Sequence, residues 1–449
     1  MSSESILIRE KGVVKTRTDL WDWILRGAIF LSLAGLSYSL LSSHLFRPLF
    51  HESVSNQWAR FIERPGFLWI IMGTSLLAFR TFLWFRYRPF ASASMAEAPS
   101  LTVIIPAYNE GAMVEKTVGS VAAALYPRER LEILVVDDGS RDDTWKYIER
   151  AAQRHPDLVT PIRFQRNQGK RAALAEGFRR ARGEIVVTVD SDSVIDSGSL
   201  LALAGPFRYS NVGAVGGKVE VYNRRQGLIP RMLQVRYVLA FDFLRATQST
   251  YRTVYCCPGA LTAYRIAVVR RVLLPWERQT FLGAQCTYGE DRALTNFILS
   301  CGYDTVYQRT AVVRTVVPDR YAKLCKMYIR WDRSYIREDL RFLRIVWTRP
   351  VGPRLIAILD RFVTNLRYPV SYAALTLMVV LSVSDPWTIP RVLIAIGLMS
   401  GFYMLFYLQS ERSWNCLFGV LYAYYSFLTL LWIFPYALLT IRSRSWMTR

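Results

Sequence analysis

Leu101-Thr-Val-Ile-Ile-Pro106-Ala107-Tyr108-Asn109-Glu110 is an apolar and β-branched run that ends abruptly in polar side chains. Such a run suits a short strand buried on both faces. The pattern recurs three times. Glu132-Ile-Leu-Val-Val ends in Asp137-Asp138-Gly139-Ser140. Ile162-Arg-Phe leads into Asn167-Gln168-Gly169-Lys170, and Glu184-Ile-Val-Val-Thr-Val ends in Asp190-Ser191-Asp192. Helical segments separate these runs, among them Ala112–Ala124 and the one that Lys170 opens and Arg182 closes. Strands alternating with helices of about 10–15 residues predict a mostly parallel sheet covered on both faces. Each polar cluster follows its strand, so all gather at the carboxyl edge, where sheets of this kind bind ligands.

The residue types at that edge suit a phosphorylated ligand. Asp190 and Asp192 read either as a Mg2+ or Mn2+ site open to diphosphate oxygens, or as a solvated turn that caps a helix. Lys170, after Gly169 at a helix start, suits a phosphate contact or is an ordinary surface lysine. Asp137 and Asp138 suit acceptance of a pyrimidine N–H, with the Tyr108 ring available for stacking. Downstream, Gly289-Glu290-Asp291-Arg292 sets two acids at the mouth of a helix-period run containing Leu294, Phe297 and Ile298. Arg330-Trp331 follows, a cation beside an indole, suited to a diphosphate and a sugar ring or to anchoring at a membrane interface.

Of 449 residues, 52% are hydrophobic and 14% aromatic, and Lys plus Arg exceed Asp plus Glu by 57 to 35, a net charge of +22. That excess calls for an anionic partner. The arginines cluster beside apolar runs, which selects a membrane over nucleic acid. Six cysteines show no CxxC metal spacing, and the adjacent Cys256-Cys257 pair reads as reduced thiols in a cytosol-facing domain. Three histidines disfavour a His-based metal site.

Trp23–Leu45 and Phe67–Phe85 have the length and composition of spanning helices. Arg80 lies inside the second, within snorkelling distance of its end, and Arg86 and Arg88 put the exit on the cytosolic side. Pro230–Gln248 is basic and amphipathic, and either packs on its own domain or lies on the membrane. Tyr335–Leu366 is a second such segment, expected at the membrane surface. Three apolar runs follow, Pro369–Val383, Arg391–Leu408 and Leu417–Ile441, and then a basic tail with Trp446. Three crossings would leave that tail outside, against the positive-inside tendency. One run is then interfacial or re-entrant, or a crossing is concealed in 352–384, or the rule fails.

Taken together and in order, the motifs from Pro106-Ala-Tyr-Asn-Glu to Gly289-Glu-Asp-Arg and Arg330-Trp331 resemble those of processive family 2 glycosyltransferases. The likeness is greatest to hyaluronan synthases and nodulation-type chitin-oligosaccharide synthases. Val235-Arg-Tyr-Val-Leu-Ala-Phe, Arg245-Ala-Thr-Gln-Ser, Phe281-Leu-Gly-Ala-Gln-Cys-Thr-Tyr-Gly and Trp331-Asp-Arg-Ser-Tyr-Ile-Arg-Glu are similar to the former, and Thr315-Val-Val-Pro-Asp to the latter. The resemblance covers about residues 100–345.

It implies UDP-sugar donors (UDP-N-acetylglucosamine, with UDP-glucuronate as a second candidate), Mg2+ or Mn2+, and inverting transfer to a growing polysaccharide that leaves through the membrane. By position it assigns Asp291 as general base, with Glu290 orienting the site. Tyr108, Glu110, Asp137, Asp138 and Lys170 fall to donor binding, and Asp190 and Asp192 to metal. Arg330, Trp331 and Cys256 fall to the diphosphate and acceptor, although Cys256 is equally explicable as a packing residue. Met327 stands where the family pattern has glutamine, and a thioether cannot make amide hydrogen bonds. Met447 stands where a glycine usually follows the tail tryptophan.

The expected fold is an α/β GT-A-like (Rossmann-like) cytosolic glycosyltransferase domain inserted between transmembrane helices, with amphipathic interfacial helices. Its boundaries are a cytosolic segment at 1–20, two transmembrane helices in 21–88, the GT-A-like domain at 99–334, an interfacial segment at 335–367, C-terminal transmembrane helices in 368–441 and a tail at 442–449. The expected protein is a multi-pass enzyme of the plasma (inner) membrane that synthesises and exports a hyaluronan-type polymer. A chitin-type product, single transfer to a lipid carrier, and a non-catalytic transporter or scaffold are the competing readings.

Overall fold

The structure is a computed structural model and describes residues 8–10, 13–15, 20–42 and 57–443. The expectations for Trp446, Met447 and the loop around His51 and Glu52 fall outside these residues. The chain divides into a sheet unit (1–16, 87–353 and 430–449) and a helical unit (17–86 and 354–429).

Eight strands form the main sheet of the first unit. They are β1 (Leu101–Ala107), β2 (Leu131–Asp137), β3 (Val159–Arg163), β4 (Ile185–Val189), β5 (Ser193–Ile195), β6 (Val212–Val221), β7 (Leu261–Arg265) and β8 (Asp304–Thr315). Their order across the sheet is β3-β2-β1-β4-β7-β6-β8-β5. The first four are parallel, with Val103 opposite Ile133 on one side and Val187 on the other. Every residue of β1 and β4 is buried, as expected of strands packed on both faces. A fully buried Val or Ile contributes about 1.5–3 kcal/mol, and Val103, Ile105, Ile133, Val135 and Val187 are completely covered.

The second half departs from the expected parallel arrangement. β7 runs antiparallel to both β4 and β6, β8 is parallel to β6, and β5 is antiparallel to β8. The cause is local. The Cys256–Gly259 turn already lies at the carboxyl edge, so the strand that follows can only run back down the sheet. The same reversal delivers that turn to the ligand edge.

Several helices bear on the sheet or the site. Among them are α1 (Met113–Ala122), α2 (Thr144–Arg154), α3 (Lys170–Arg180), α4 (Leu228–Val238), α5 (Ile266–Glu277), α6 (Glu290–Ser300) and α7 (Tyr321–Ile345). The Pro230–Gln248 stretch packs on its own domain. α4 buries Met232, Leu233, Val235 and Val238, and Val221 N donates to Gln234 Oε1 at 2.8 Å. A π-helical turn, Leu239–Arg245, continues it. α7 runs unbroken across position 334. Ser334, Arg337, Glu338 and Phe342 are buried, while Leu340 and Leu343 face outward. Helix Ile433–Leu439 packs on α7, where Arg333 donates to Thr440 Oγ1 at 2.7 and 3.1 Å and Trp432 Nε1 to Tyr321 OH at 3.1 Å.

The helical unit contains Leu20–Ser42, Gln57–Arg86, most of Val351–Ser384, Thr388–Glu411 and Leu417–Thr429. Val351–Ser384 and Thr388–Glu411 are long and apolar enough to cross a membrane; Trp414–Thr429 with Ile433–Leu439 makes a third candidate if the broken pair is one span. Val380, Leu398 and Leu428 are exposed, which water would penalise and lipid would not. Arg80 is paired rather than snorkelling: Nε meets Asp360 Oδ1 at 2.8 Å and Nη2 meets Thr364 Oγ1 at 2.5 Å. A charge at that depth keeps its place through a partner. The expected boundary at 367/368 falls inside the helix that begins at Val351.

Candidate active site

The four polar clusters that follow β1 to β4 lie at the carboxyl edge of the sheet. Tyr108 and Glu110 lie just beyond β1, both half-buried. Glu110 N and Gly111 N donate to Thr144 Oγ1 at 2.8 and 2.9 Å, which pins that loop to the start of α2. Asp137, at the end of β2, is 0% exposed. Its Oδ1 accepts from Ser140 N at 3.1 Å, and Oδ2 has no hydrogen-bond partner, the nearest cation being Arg163 Nε at 3.6 Å. A buried acceptor left unmet is costly, and this one sits at the carboxyl end of β2. Asp138 has a different task. Its oxygens accept from Asn167 Nδ2, Gln168 N and Gly169 N at 2.9, 2.7 and 2.8 Å, bracing the turn that launches α3. Burial pushes Asp138 up to about 6, although those donors work in the other direction.

That turn aims Lys170. Its Nζ lies 2.5 Å from Asp190 Oδ1 and 3.2 Å from Glu290 Oε1, joining the strand-end acid to the helix-start acid. Burial disfavours the ammonium, but Asp190 and then Glu290 outweigh it and hold the lysine charged. Asp192 is buried, its Oδ1 accepting from Ser193 Oγ at 3.2 Å and Thr315 Oγ1 at 3.1 Å. Among the described residues no three His, Cys, Asp or Glu side chains form a metal cage. Asp190 and Asp192 can therefore serve a cation that takes its remaining ligands from a diphosphate and water, the donor set a hard divalent ion accepts.

Gly289 starts α6 at φ 73°, and a Cβ there would overlap the Ser334 side chain. Only glycine meets both demands cheaply. Glu290 and Asp291 then fall in the first turn, where the helix dipole favours negative charge. Asp291 Oδ1 accepts from Arg292 N at 2.7 Å and Oδ2 from Gly259 N at 3.2 Å, with Cys256 Sγ at 3.7 Å. The two acids are driven apart. Burial pushes Glu290 upward, yet Lys170, Arg171 and Arg330 outweigh it and leave the carboxyl below its usual range. Burial and the Glu290 charge push Asp291 above its usual range. Neighbouring acids with opposite shifts mark one as a fixed charge and the other as a proton acceptor. Burial, then Asp291, also raises the Cys256 thiol, which stays protonated and unreactive at neutral pH.

α7 brings the last pair. Arg330 is half-buried and acts on Glu290 through its charge. Trp331 is 39% exposed, its ring 6.2 Å from Tyr237 and 5.6 Å from Tyr328, an aromatic shelf open on one side. Met327 lies one turn before Trp331 on the same helix and is 8% exposed, so it is a buried neighbour of that pair.

Several residues went unnoticed in the sequence. Gly259 donates to Asp291 and leaves room for Lys170 Nζ and Asp190, which a Cβ would meet at 3.3 and 3.6 Å. Trp276 Nε1 donates to Glu290 O at 3.0 Å, and Arg171 stacks on that indole. Glu338 accepts from Gln279 and Asn296 beneath α6. Glu338 closes a quoted motif and Arg171 follows another, but no spacing distinguishes them from surface charges. Gly259 and Trp276 carried no signal.

The chain matches the model of Glycosyl transferase family 2 over residues 102–273, which include Tyr108 through Asp192 and Cys256 but not Asp291 or Trp331. It is 32% identical over 370 residues to an N-acetylglucosaminyltransferase of Azorhizobium caulinodans, covering 80% of this chain and 89% of that protein. It is 35% identical over 274 residues to a hyaluronan synthase of Streptococcus pyogenes, covering 60% of this chain and 64% of the synthase. A mannosyltransferase of Pyrobaculum calidifontis, solved with GDP-Man and Mn2+, matches with a TM-score of 0.57 at 21% identity, over 80% of this chain and 98% of that one. That last likeness speaks to the fold alone. The chain belongs to glycosyl transferase family 2. It is a glycosyltransferase, and its mixed sheet is GT-A-like.

Proposed function

We propose that this protein is a membrane-embedded, processive synthase of a β-linked, N-acetylglucosamine-containing polysaccharide, built from UDP-activated sugars and exported through its own helices. The observation that carries this reading is the placing of Asp291 at the start of α6, its carboxylate held by Gly259 N and Arg292 N, next to Glu290, which Lys170 joins to Asp190. In this reading the uracil stacks on Tyr108 beside Glu110, and Asp137 Oδ2 accepts its N3–H. Lys170 turns from Asp190 to the diphosphate. The acceptor sugar lies on Trp331. Asp291 removes the proton of the acceptor hydroxyl as its oxygen bonds to the anomeric carbon. The bond from that carbon to the UDP oxygen breaks on the opposite face, so configuration inverts. Asp190 and Asp192 would hold Mg2+ or Mn2+, which would neutralise the departing diphosphate. Arg330 keeps Glu290 ionised and contacts the diphosphate.

The sheet unit belongs in the cytosol of a plasma-membrane enzyme. That residues 430–443 pack with that unit supports reading the last apolar run as a broken or re-entrant element. The basic tail then stays on the catalytic side, in keeping with its charge.

The test is reconstitution in lipid with Mn2+ or Mg2+ and labelled UDP-N-acetylglucosamine, with and without UDP-glucuronate. Polymer under either condition supports the proposal, and absence of polymer under both refutes it. A chitin-type product is the second reading, favoured by the 89% coverage of the Azorhizobium relative against 64% of the hyaluronan synthase. Dependence on glucuronate separates the two. A product one sugar long would indicate a non-processive enzyme.

A further inference from the structure

The sheet unit contains a second cavity, about 300 Å³ in volume, at the end of β6. That volume is at the lower end of small-molecule sites, about 300–1,000 Å³, and has room for a sugar ring. Its lining includes Tyr222, Arg224, Arg225, Gln226 and Arg314, and no carboxylate. Arg314 is already neutralised, pairing with both oxygens of Asp196 and with Glu220 Oε2 at 3.3 Å. Arg224 and Arg225 have no ion pair among the described residues, and both are exposed. Two exposed guanidiniums without ion pairs on one concave surface focus positive potential. An oxyanion is the ligand that such N–H donors bind most strongly.

The loop that carries them is held in place. Asn223 is buried and doubly bonded to Val317, its Nδ2 donating to Val317 O at 2.9 Å and its Oδ1 accepting from Val317 N at 3.0 Å. Gln226 N donates to Asn223 O at 2.9 Å, closing the turn. Such bracing lowers the ordering cost of binding. The position is equally informative. Tyr222 N donates to Thr315 O at 2.8 Å, and Thr315 Oγ1 donates to Asp192 at 3.1 Å. The cavity is therefore one residue removed from Asp192. It lies on the β6–β8 side of β4, whereas Tyr108 and Asp137 lie on the β1–β2 side. A nucleotide bound to the latter leaves the cavity at the sugar end of the site. Tyr222, 42% exposed, offers a ring face, and Gln226 offers an amide for hydroxyls.

From these observations we infer that the Tyr222–Gln226 cavity is an oxyanion subsite for a carboxylated sugar of the acceptor glycan. The inference rests on the proposed polysaccharide reading and narrows it to an acidic product. The test uses the full-length protein in lipid nanodiscs and measures equilibrium binding without turnover. The probes are an oligosaccharide with glucuronate at alternate positions, a neutral chitin oligosaccharide of equal length, inorganic phosphate and UDP. The wild type is expected to bind the acidic oligosaccharide about tenfold or more tightly than the neutral one, as charge-assisted bidentate contacts imply. R224A/R225A is expected to abolish that preference with UDP affinity intact, which also shows that the variant is folded, and R224K/R225K to retain part of it. Equal affinities for the two oligosaccharides, an unchanged preference in R224A/R225A, or binding of phosphate without binding of the acidic oligosaccharide would overturn the inference. Loss of the polysaccharide reading itself would appear separately, as no turnover of UDP-N-acetylglucosamine by the wild type.

Discussion

Glu338→Ala tests how the base-bearing helix is held. Glu338 is 1% exposed and accepts from Gln279 Nε2 at 2.7 Å, Asn296 Nδ2 at 3.1 Å and Arg337 Nε at 3.0 Å. Those donors come from the loop before Glu290 and Asp291, from α6 itself and from α7, so one carboxylate ties α6 to α7. Truncation leaves three buried donors unmet. A neutral one costs about 1–3 kcal/mol, and breaking a buried ion pair about 3–5 kcal/mol. Arg337 keeps Tyr288 O at 2.7 Å, and Asn296 keeps the Glu338 carbonyl at 2.8 Å. These retained bonds hold the sum to about 3–5 kcal/mol. At about 1.4 kcal/mol per decade, local opening becomes about 10²–10⁴ times more frequent. Hydrogen exchange read by mass spectrometry over residues 279–300 should accelerate by that factor, with β1 and β2 as the unperturbed reference. Glu338→Gln, which retains one acceptor oxygen, should fall between. Exchange within about threefold of wild type over 279–300, in a protein whose reference strands stay protected, would refute the reasoning.

Asp291→Asn should lower kcat by about 10²–10⁴-fold, the usual contribution of a positioned base, while calorimetry finds UDP binding intact; normal turnover would remove Asp291 from its role. Glu290→Gln should move the acid limb of the kcat/KM profile to lower pH, because the ionised Glu290 holds Asp291 up; an unmoved limb would show that the two do not interact. Gly289→Ala carries both the left-handed backbone cost, about 1–2 kcal/mol, and an overlap with Ser334. Gly283→Ala, at φ 75° with open space around it, carries the backbone cost alone. Thermal midpoints should therefore drop further for Gly289→Ala, and equal drops would contradict the packing. Asp138, held at about 6 against an ordinary 3.8, keeps a proton in the folded state that the unfolded chain releases. Its favourable contribution is present below 3.8 and lost as pH rises through 6. The stability of wild type relative to Asp138→Asn should fall across that window and stay flat above it, as read by denaturation at successive pH values.

Much of the site was legible because its residues are local in sequence. Asp137, Lys170 and Asp190 each follow an apolar strand, and a parallel arrangement brings strand ends together whatever the loops do. Glu290 and Asp291 announced themselves by preceding a helix-period run. The tasks within that edge were less legible. Asp137 and Asp138 are adjacent and identical in type, yet one keeps a buried oxygen unmet and the other is spent on the Asn167–Gly169 backbone. A one-residue step along a strand end turns a side chain to a different environment, and that environment is assembled from residues about 30 positions away. Met327 shows the same limit from the other side. Its chemistry departs from a motif, and that it is buried one turn from Trp331 is visible only in the folded helix.

The amino-acid sequence by itself determined the strand-and-helix alternation, the gathering of acids at one sheet edge, the glycine that opens α6 and the apolar helices. All of these follow from periodicity, side-chain volume and backbone preference within a short window. Tertiary structure alone decided the antiparallel return of β7, which carries Gly259 to Asp291. It alone decided the opposite proton affinities of Glu290 and Asp291, the pairing of Arg80 with Asp360 and the joining of residues 430–443 to α7. The physical reason is common to all four. Electrostatics and packing depend on distance in space, and the partners are up to 280 residues apart in the chain.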